Sequence, residues 1–274
     1  MKAIPPPRLV ETPSGMLNAV GLQNIGIEAF LQEKLPALRS IRVPVIVSIL
    51  GESTEDVAAM ASQLDRSDGV AAIELNLSCP NLHARSRLEA EGSRQPGLEP
   101  RALSLEPTMV AQDPEATFAV VQVARQATRK PLIAKLSPDV TDLAPIAQAA
   151  ERAGADAVSL VNTFRGMSLD PATRRSRIGA LTGGVSGPAI RPLAVYRVWY
   201  TAQTVRIPVI GLGGIVRAED ALEFFLAGAS AVAVGTANFA NPRTPLQVLE
   251  GLTRYLARHG LSSLRELQGA IRHA

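Results

Sequence analysis

Pro131-Leu132-Ile133-Ala134-Lys135-Leu136-Ser137 is a short apolar run that closes on a cation and a hydroxyl, and a helical pattern follows it. Thr141 and Asp142 supply the chemistry of a helix start, and Gly154 supplies the stop. A second apolar run, 157–164, comes directly after. Strand, helix and strand at this spacing make a parallel β/α unit. Working outward, the runs 43–50, 71–78, 208–214 and 231–237 read as further strands, each with a helix behind it. Ser53 or Thr54 with Glu55 and Asp56 opens one helix, and Asp113-Pro114 another. Ala218-Glu219-Asp220 opens a third that Gly228 ends, and Ser263 with Glu266 forms a capping-box pattern for the last. Alternation of this kind leaves a barrel and a doubly wound sheet both open. The strand count is six, whereas a closed (β/α)8 barrel has eight.

The composition suits such a fold. Of the 274 residues 46% are hydrophobic and only 4% aromatic, an aliphatic content that fits strands covered by helices on both faces. A barrel of this length commonly forms one domain, here 1–274. Lys and Arg number 28 against 25 acidic residues, and a net charge of +3 leaves no nucleic-acid footprint. Cys79 is the one cysteine, so the chain makes neither an internal disulfide nor an iron–sulfur site, and any redox chemistry needs a borrowed cofactor. With no 18-residue apolar run and no apolar signal core in the opening Met1 to Arg8, a cytoplasmic protein without a membrane span is expected. Pro5, Pro6, Pro7 and Pro13 interrupt the first 42 residues, where only 26–39 reads as helical. The stretch 82–112 has little periodicity and reads as an excursion inserted beside the site.

Reactive residues of barrels gather at the carboxyl ends of the strands. Those ends offer Asn76, Ser78 and Cys79; Lys135; Asn162 and Thr163; Gly213 and Gly214; and Gly235 and Thr236. Glycines at two consecutive strand ends let backbone N–H groups approach an anion, which points to phosphate. Lys135 is a charge in an apolar strand, serving either an ion pair inside the barrel or an anionic ligand. Asn18, Asn76, Asn81 and Asn162 offer uncharged donors and acceptors for a flat heterocycle with imide edges, with turn chemistry as the alternative. Cys79 is either a presented thiol or a small buried hydrophobe.

Four segments together carry a resemblance: Gly15-Met16-Leu17-Asn18-Ala19-Val20-Gly21-Leu22-Gln23-Asn24, Asn76-Leu77-Ser78-Cys79-Pro80-Asn81, Thr182-Gly183-Gly184-Val185-Ser186-Gly187-Pro188-Ala189-Ile190 and Val234-Gly235-Thr236-Ala237-Asn238-Phe239. The chain resembles dihydroorotate dehydrogenase, and within it the class 1B catalytic subunit. The resemblance implies an FMN-binding TIM (β/α)8 barrel, here with six of its eight strands, that oxidises dihydroorotate to orotate in pyrimidine synthesis. It implies Cys79 as the general base. Asn18, Ala19, Val20, Gly21, Leu22, Asn76, Asn162 and Thr163 correspond to substrate positions. Asn76, Lys135, Val161, Gly187, Gly213, Gly214, Gly235 and Thr236 correspond to FMN positions, the last four around the phosphate. The implied partner is an electron-transfer subunit carrying FAD and an iron–sulfur cluster, in a heterotetramer with NAD as acceptor.

The same resemblance marks departures. Two strands that precede the Pro7-Arg8 segment in the family, with an Ala-Ser-Gly flavin contact and a lysine, have no counterpart in this sequence, so an incomplete N-terminus is expected. The loop after Cys79 is longer than the family's lid, and Ser48 stands where an asparagine is usual. An inactive barrel remnant and a dihydropyrimidine dehydrogenase-like flavoenzyme are the competing readings; Asn81 after Pro80 and the 21–24 run favour orotate.

Overall fold

The computed structural model describes residues 4–21, 23–78 and 109–272. The chain begins with a hairpin, β1 (Leu9–Thr12) and β2 (Gly15–Asn18), followed by α1 (Gly26–Ala29), a π-helical turn Phe30–Lys34 and α2 (Leu35–Leu38). The β/α units come next: β3 (Ile46–Ile49), α3 (Thr54–Asp65), β4 (Ala72–Asn76), α4 (Pro114–Ala127), β5 (Leu132–Lys135), α5 (Ala144–Arg152) and β6 (Ala157–Leu160). An excursion carries β7 (Phe164–Gly166), β8 (Leu169–Asp170), β9 (Arg175–Ser176) and β10 (Gly183–Ser186). The chain then returns through α6 (Arg191–Ala202), β11 (Val209–Leu212), α7 (Ala218–Leu226), β12 (Ala231–Ala233), α8 (Ala237–Ala240) and α9 (Thr244–His259).

Six parallel strands form one curled sheet in the order β3, β4, β5, β6, β11, β12, so each strand pairs with the neighbour that precedes or follows it in the β/α series. This is a partial (β/α) barrel with β3 and β12 as its edges. Ile46 on the first edge is 51% exposed, and Ala231 and Ala233 on the second are exposed. The six strands read from sequence all appear, each shorter than expected, with 157–164 and 231–237 losing only their carboxyl ends.

The helix starts follow local chemistry. Ser53 caps α3, its hydroxyl accepting from Asp56 N at 3.1 Å. Asp113 caps α4 by accepting from Glu115 N at 2.8 Å and Ala116 N at 3.3 Å, with Pro114 at the first helical position. The capping box at Ser263 and Glu266 is present, but it closes a 3₁₀ turn, Leu264–Leu267, and not an α-helix.

The main core lies between the outer face of the parallel sheet and its helices. Ile73, Leu75, Leu132, Val158 and Leu160 point to it and are at most 1% exposed. The opposite faces of the same strands turn into the barrel. There Ala72, Ile133 and Ala157 form a small apolar cluster with Ile210. Beside this cluster the interior becomes polar: Ser48 lies opposite Glu74 in register, and Lys135 lies opposite both Asn76 and Ser159.

A second sheet was not anticipated in the first 42 residues. It is antiparallel, in the order β1, β2, β10, β7, and its two halves lie far apart in sequence. The hairpin turn is Pro13-Ser14, with Ser14 at φ 56°. Gly15 is required at the hairpin's second strand, because a Cβ there would stand 2.3 Å from the Ser186 carbonyl oxygen. The expected strand 157–164 is thus divided: β6 ends at Leu160, and Phe164 already belongs to the antiparallel sheet. Where the described residues resume, Met109, Val110 and Ala111 are buried, and Ala111 N donates to Leu77 O at 3.0 Å.

Candidate active site

Five segments converge on one cavity of about 180 Å³ at the carboxyl ends of the parallel strands. β5 sends Lys135, the loop after β6 sends Val161, Asn162 and Thr163, and β10 ends in Ser186 and Gly187. The loop after β11 brings Gly213 and Gly214, and the loop after β12 brings Gly235 and Thr236. The structure therefore places nine of the anticipated residues around a single space, although they come from sequence positions a hundred residues apart.

The walls are made for an anion. Among the described residues, the N–H groups of Gly213, Gly214, Gly235 and Thr236 donate no hydrogen bond. Gly213 and Gly214 have φ of 134° and 75°, which turns the chain sharply after β11. A Cβ at Gly214 would meet Gly187 O at 2.8 Å and Arg191 Cβ at 2.9 Å, so the turn is packed as well as bent. At Gly235 the Cβ position has no heavy atom within 4 Å, so that backbone faces open space.

Asp220 fixes the loop. It is fully buried at the start of α7 and accepts from Val216 N at 2.9 Å and Arg217 N at 3.0 Å. Its other oxygen pairs with Arg191 at the start of α6, directly behind Gly214. One carboxylate thus ties two helices to the glycine turn.

Lys135 is the cation of this cavity among the described residues. Burial pushes its ammonium below the usual lysine range, and the nearby Glu74 charge pulls it back up. No carboxylate of the described residues comes within 4.0 Å of it. Ser186 adds a buried hydroxyl with no hydrogen-bond partner on the same wall. Unpartnered buried donors and free N–H groups together fit a phosphate-bearing cofactor. The volume is below the roughly 300 Å³ of an ordinary small-molecule pocket, so the cavity suits the anionic end of such a group.

Other anticipated residues lie elsewhere. Asn18 ends β2, where its side chain donates to Gly184 O at 3.3 Å. Ala19 is buried, while Val20 and Gly21 are exposed. Asn76 lines a larger, more apolar groove of about 730 Å³ along β3, together with Ser48, Ile46 and Phe30. Cys79 and Leu22 fall outside the described residues, as do residues 82–108 of the 82–112 stretch.

Sequence reasoning passed over Ser186 and Glu74. Ser186 stands immediately before Gly187 in the 182–190 segment, where a serine gives no signal of its own. Glu74 gives the same signal as Lys135, a charge at an inward position of an apolar strand. Among the described residues no group of His, Cys, Asp and Glu could hold a metal, and no helix is long and apolar enough to cross a membrane.

Fold and site define an α/β barrel-type protein whose strand ends enclose a cavity with the donors to receive an anion. The dihydroorotate dehydrogenase family matches residues 3–96 and 106–256. A protein of Geotalea uraniireducens is 48% identical over 267 residues, covering 97% of this chain and 81% of the relative. One of Desulforudis audaxviator is 50% identical over 266 residues, with 97% and 80% covered. One of Geobacter sulfurreducens is 46% identical over 267 residues, with 97% and 81% covered. All three are named dihydroorotate dehydrogenase B (NAD(+)), catalytic subunit. The chain belongs to the dihydroorotate dehydrogenase family.

Proposed function

We propose that this chain, as one domain, oxidises (S)-dihydroorotate to orotate in pyrimidine synthesis, with FMN as its cofactor. The observation that carries the reading is the cavity in which Lys135 meets the free N–H groups of Gly213, Gly214, Gly235 and Thr236. Those four residues hold the FMN phosphate. Val161, Gly187, Lys135 and Asn76 would hold the rest of the cofactor, with Lys135 supplying a positive charge beside it. When bound, FMN supplies the acceptor for the hydride that leaves C6 of dihydroorotate.

Cys79 takes the proton from C5 at Sγ. A free thiol has a pKa of about 8.5, so this role requires surroundings that favour the thiolate. Asn18, Ala19, Val20, Gly21, Leu22, Asn76, Asn162 and Thr163 orient the imide and carboxylate edges of the substrate. Electrons leave through a partner subunit carrying FAD and an iron–sulfur cluster, with NAD as the final acceptor. The names of the relatives, which specify a catalytic subunit and NAD(+), support this division. A cytoplasmic location goes with it.

The visible spectrum tests the reading. Purified protein should carry or take up stoichiometric FMN, and dihydroorotate added without oxygen should bleach it. Protein that takes up no flavin, or flavin that dihydroorotate leaves oxidised, would contradict it. Cys79→Ser should slow bleaching by roughly a hundredfold or more while FMN stays bound.

A further inference from the structure

Glu74 is a half-buried carboxylate on the inner face of β4, and neither oxygen is idle. Oε1 accepts from Ser48 Oγ at 2.9 Å, and Oε2 accepts from Ser159 Oγ at 2.8 Å. Those hydroxyls come from β3 and β6, so three of the barrel strands meet at this side chain. Ser159 is also the residue in register with Lys135 across the β5–β6 ladder. The carboxylate is therefore anchored one layer beneath the ammonium. It acts on Lys135 through space and makes no ion pair within 4.0 Å among the described residues.

The separation is informative. A direct ion pair would neutralise Lys135 and occupy the donors that a bound anion needs. A carboxylate held back by two hydroxyls favours the charged form of the lysine against the effect of burial and does not occupy its donors. Among the described residues, the elements around Lys135 bring no competing charge into its cavity. β4 adds Asn76, β6 adds Ser159, and β10 adds Ser186. The loops after β6, β11 and β12 add Asn162, Thr163, glycines and Thr236, none of them charged. Glu74 is the charged group acting on Lys135 in this set.

We propose that Glu74, anchored by Ser48 and Ser159, is a positioning residue that holds Lys135 as a free cation for the anionic cofactor. It touches neither substrate nor cofactor. The role deepens the flavin reading and rests on it for the identity of the anion, but the charge state of Lys135 can be tested without flavin.

The chain contains four lysines, Lys2, Lys34, Lys130 and Lys135, so lysine labelled with 13C at Cε gives a short NMR spectrum. Lys135→Met assigns the signal. In flavin-free protein, Glu74→Gln should lower the Lys135 titration midpoint by about one pH unit or more, and Glu74→Asp by less. FMN titrations between about pH 6 and pH 9 form the second readout. Affinity of Glu74→Gln relative to the parent protein should fall about tenfold as pH rises through the new midpoint, because the lysine loses its proton there. A Lys135 midpoint unmoved by Glu74→Gln would overturn the proposal, as would an FMN loss equal at every pH. If Glu74→Gln does not fold, an unmoved midpoint in Glu74→Asp overturns it. Parent protein that binds no FMN would instead remove the flavin reading, and the NMR shift would still decide the role of Glu74.

Discussion

In the parallel sheet Leu75, Leu132, Val158 and Leu160 are each at most 1% exposed, whereas the antiparallel sheet buries only Met16, Leu17 and Ser186 of its strand residues. Four positions of the antiparallel sheet, Gly15, Gly166, Gly183 and Gly184, have no side chain to bury. The first sheet is held by apolar contact with helices on its outer face. The second is held chiefly by backbone pairing and by close approach of bare strands. Both supply the candidate site: the parallel sheet gives Lys135 and the glycine turns, and the antiparallel sheet gives Ser186 and, just beyond it, Gly187. Damage to the first should therefore read as lost global stability, and damage to the second as lost ligand affinity with smaller global cost.

The largest effect is expected at the parallel sheet. Phe224 on α7 is fully buried against Gly211 of β11, where a Cβ would come within 2.5 Å of its ring. Phe224→Ala should cost about 3–5 kcal/mol in chemical denaturation. A cost below about 1 kcal/mol would show that the sheet tolerates cavities and would remove the contrast. Asp220→Ala should follow at about 3 kcal/mol, because it strips Arg191 of its buried partner and releases the Val216 and Arg217 N–H groups. It should also weaken FMN binding, measured by fluorescence titration, since the Gly213-Gly214 turn loses its tether.

Gly15→Ala probes the other sheet. The new Cβ would collide with the Ser186 carbonyl, for a cost of about 1–3 kcal/mol. Hydrogen exchange should show faster exchange at Leu17 and Val185, with protection of β4 and β5 unchanged. Protection lost equally in both sheets would mean that they unfold as one unit. The smallest change is expected for Asp113→Ala, which removes the cap of α4 and should lower stability by about 1 kcal/mol with FMN affinity intact.

The two sheets also differ in what their sequences disclose. β4, β5 and β6 are apolar runs bounded by helix caps, and caps act within three residues of themselves, so Ser53 and Asp113 announce their helices locally. β1 and β2 are four residues each, flanked by prolines and joined by Pro13-Ser14, which lacks the Asn-Gly or Asp-Gly signal of a tight hairpin. The second partner of β2, β10, lies more than 160 residues along the chain, and no local pattern encodes such a pairing. The division of the expected 157–164 strand has the same cause, since Phe164 pairs with Val185 of the distant strand.

At the site, the chemical types were legible and the grouping was not. Glycines at strand ends, a lysine inside an apolar strand and amides beside it are visible residue by residue. That Lys135 shares one cavity with Gly213 and Gly235, while its register partner Asn76 faces the groove along β3, depends on curvature of the sheet.

The sequence alone determined the β/α alternation, the six parallel strands and the chemistry available at their ends, because apolar periodicity, caps and turn residues act over a few positions. The tertiary structure decided the antiparallel sheet, the union of nine residues around one cavity and the anchoring of Glu74 between Ser48 and Ser159. Each of these depends on strands brought together across long stretches of chain, where the closing contact is a backbone pairing or a hydroxyl in register and leaves no periodic mark in the sequence.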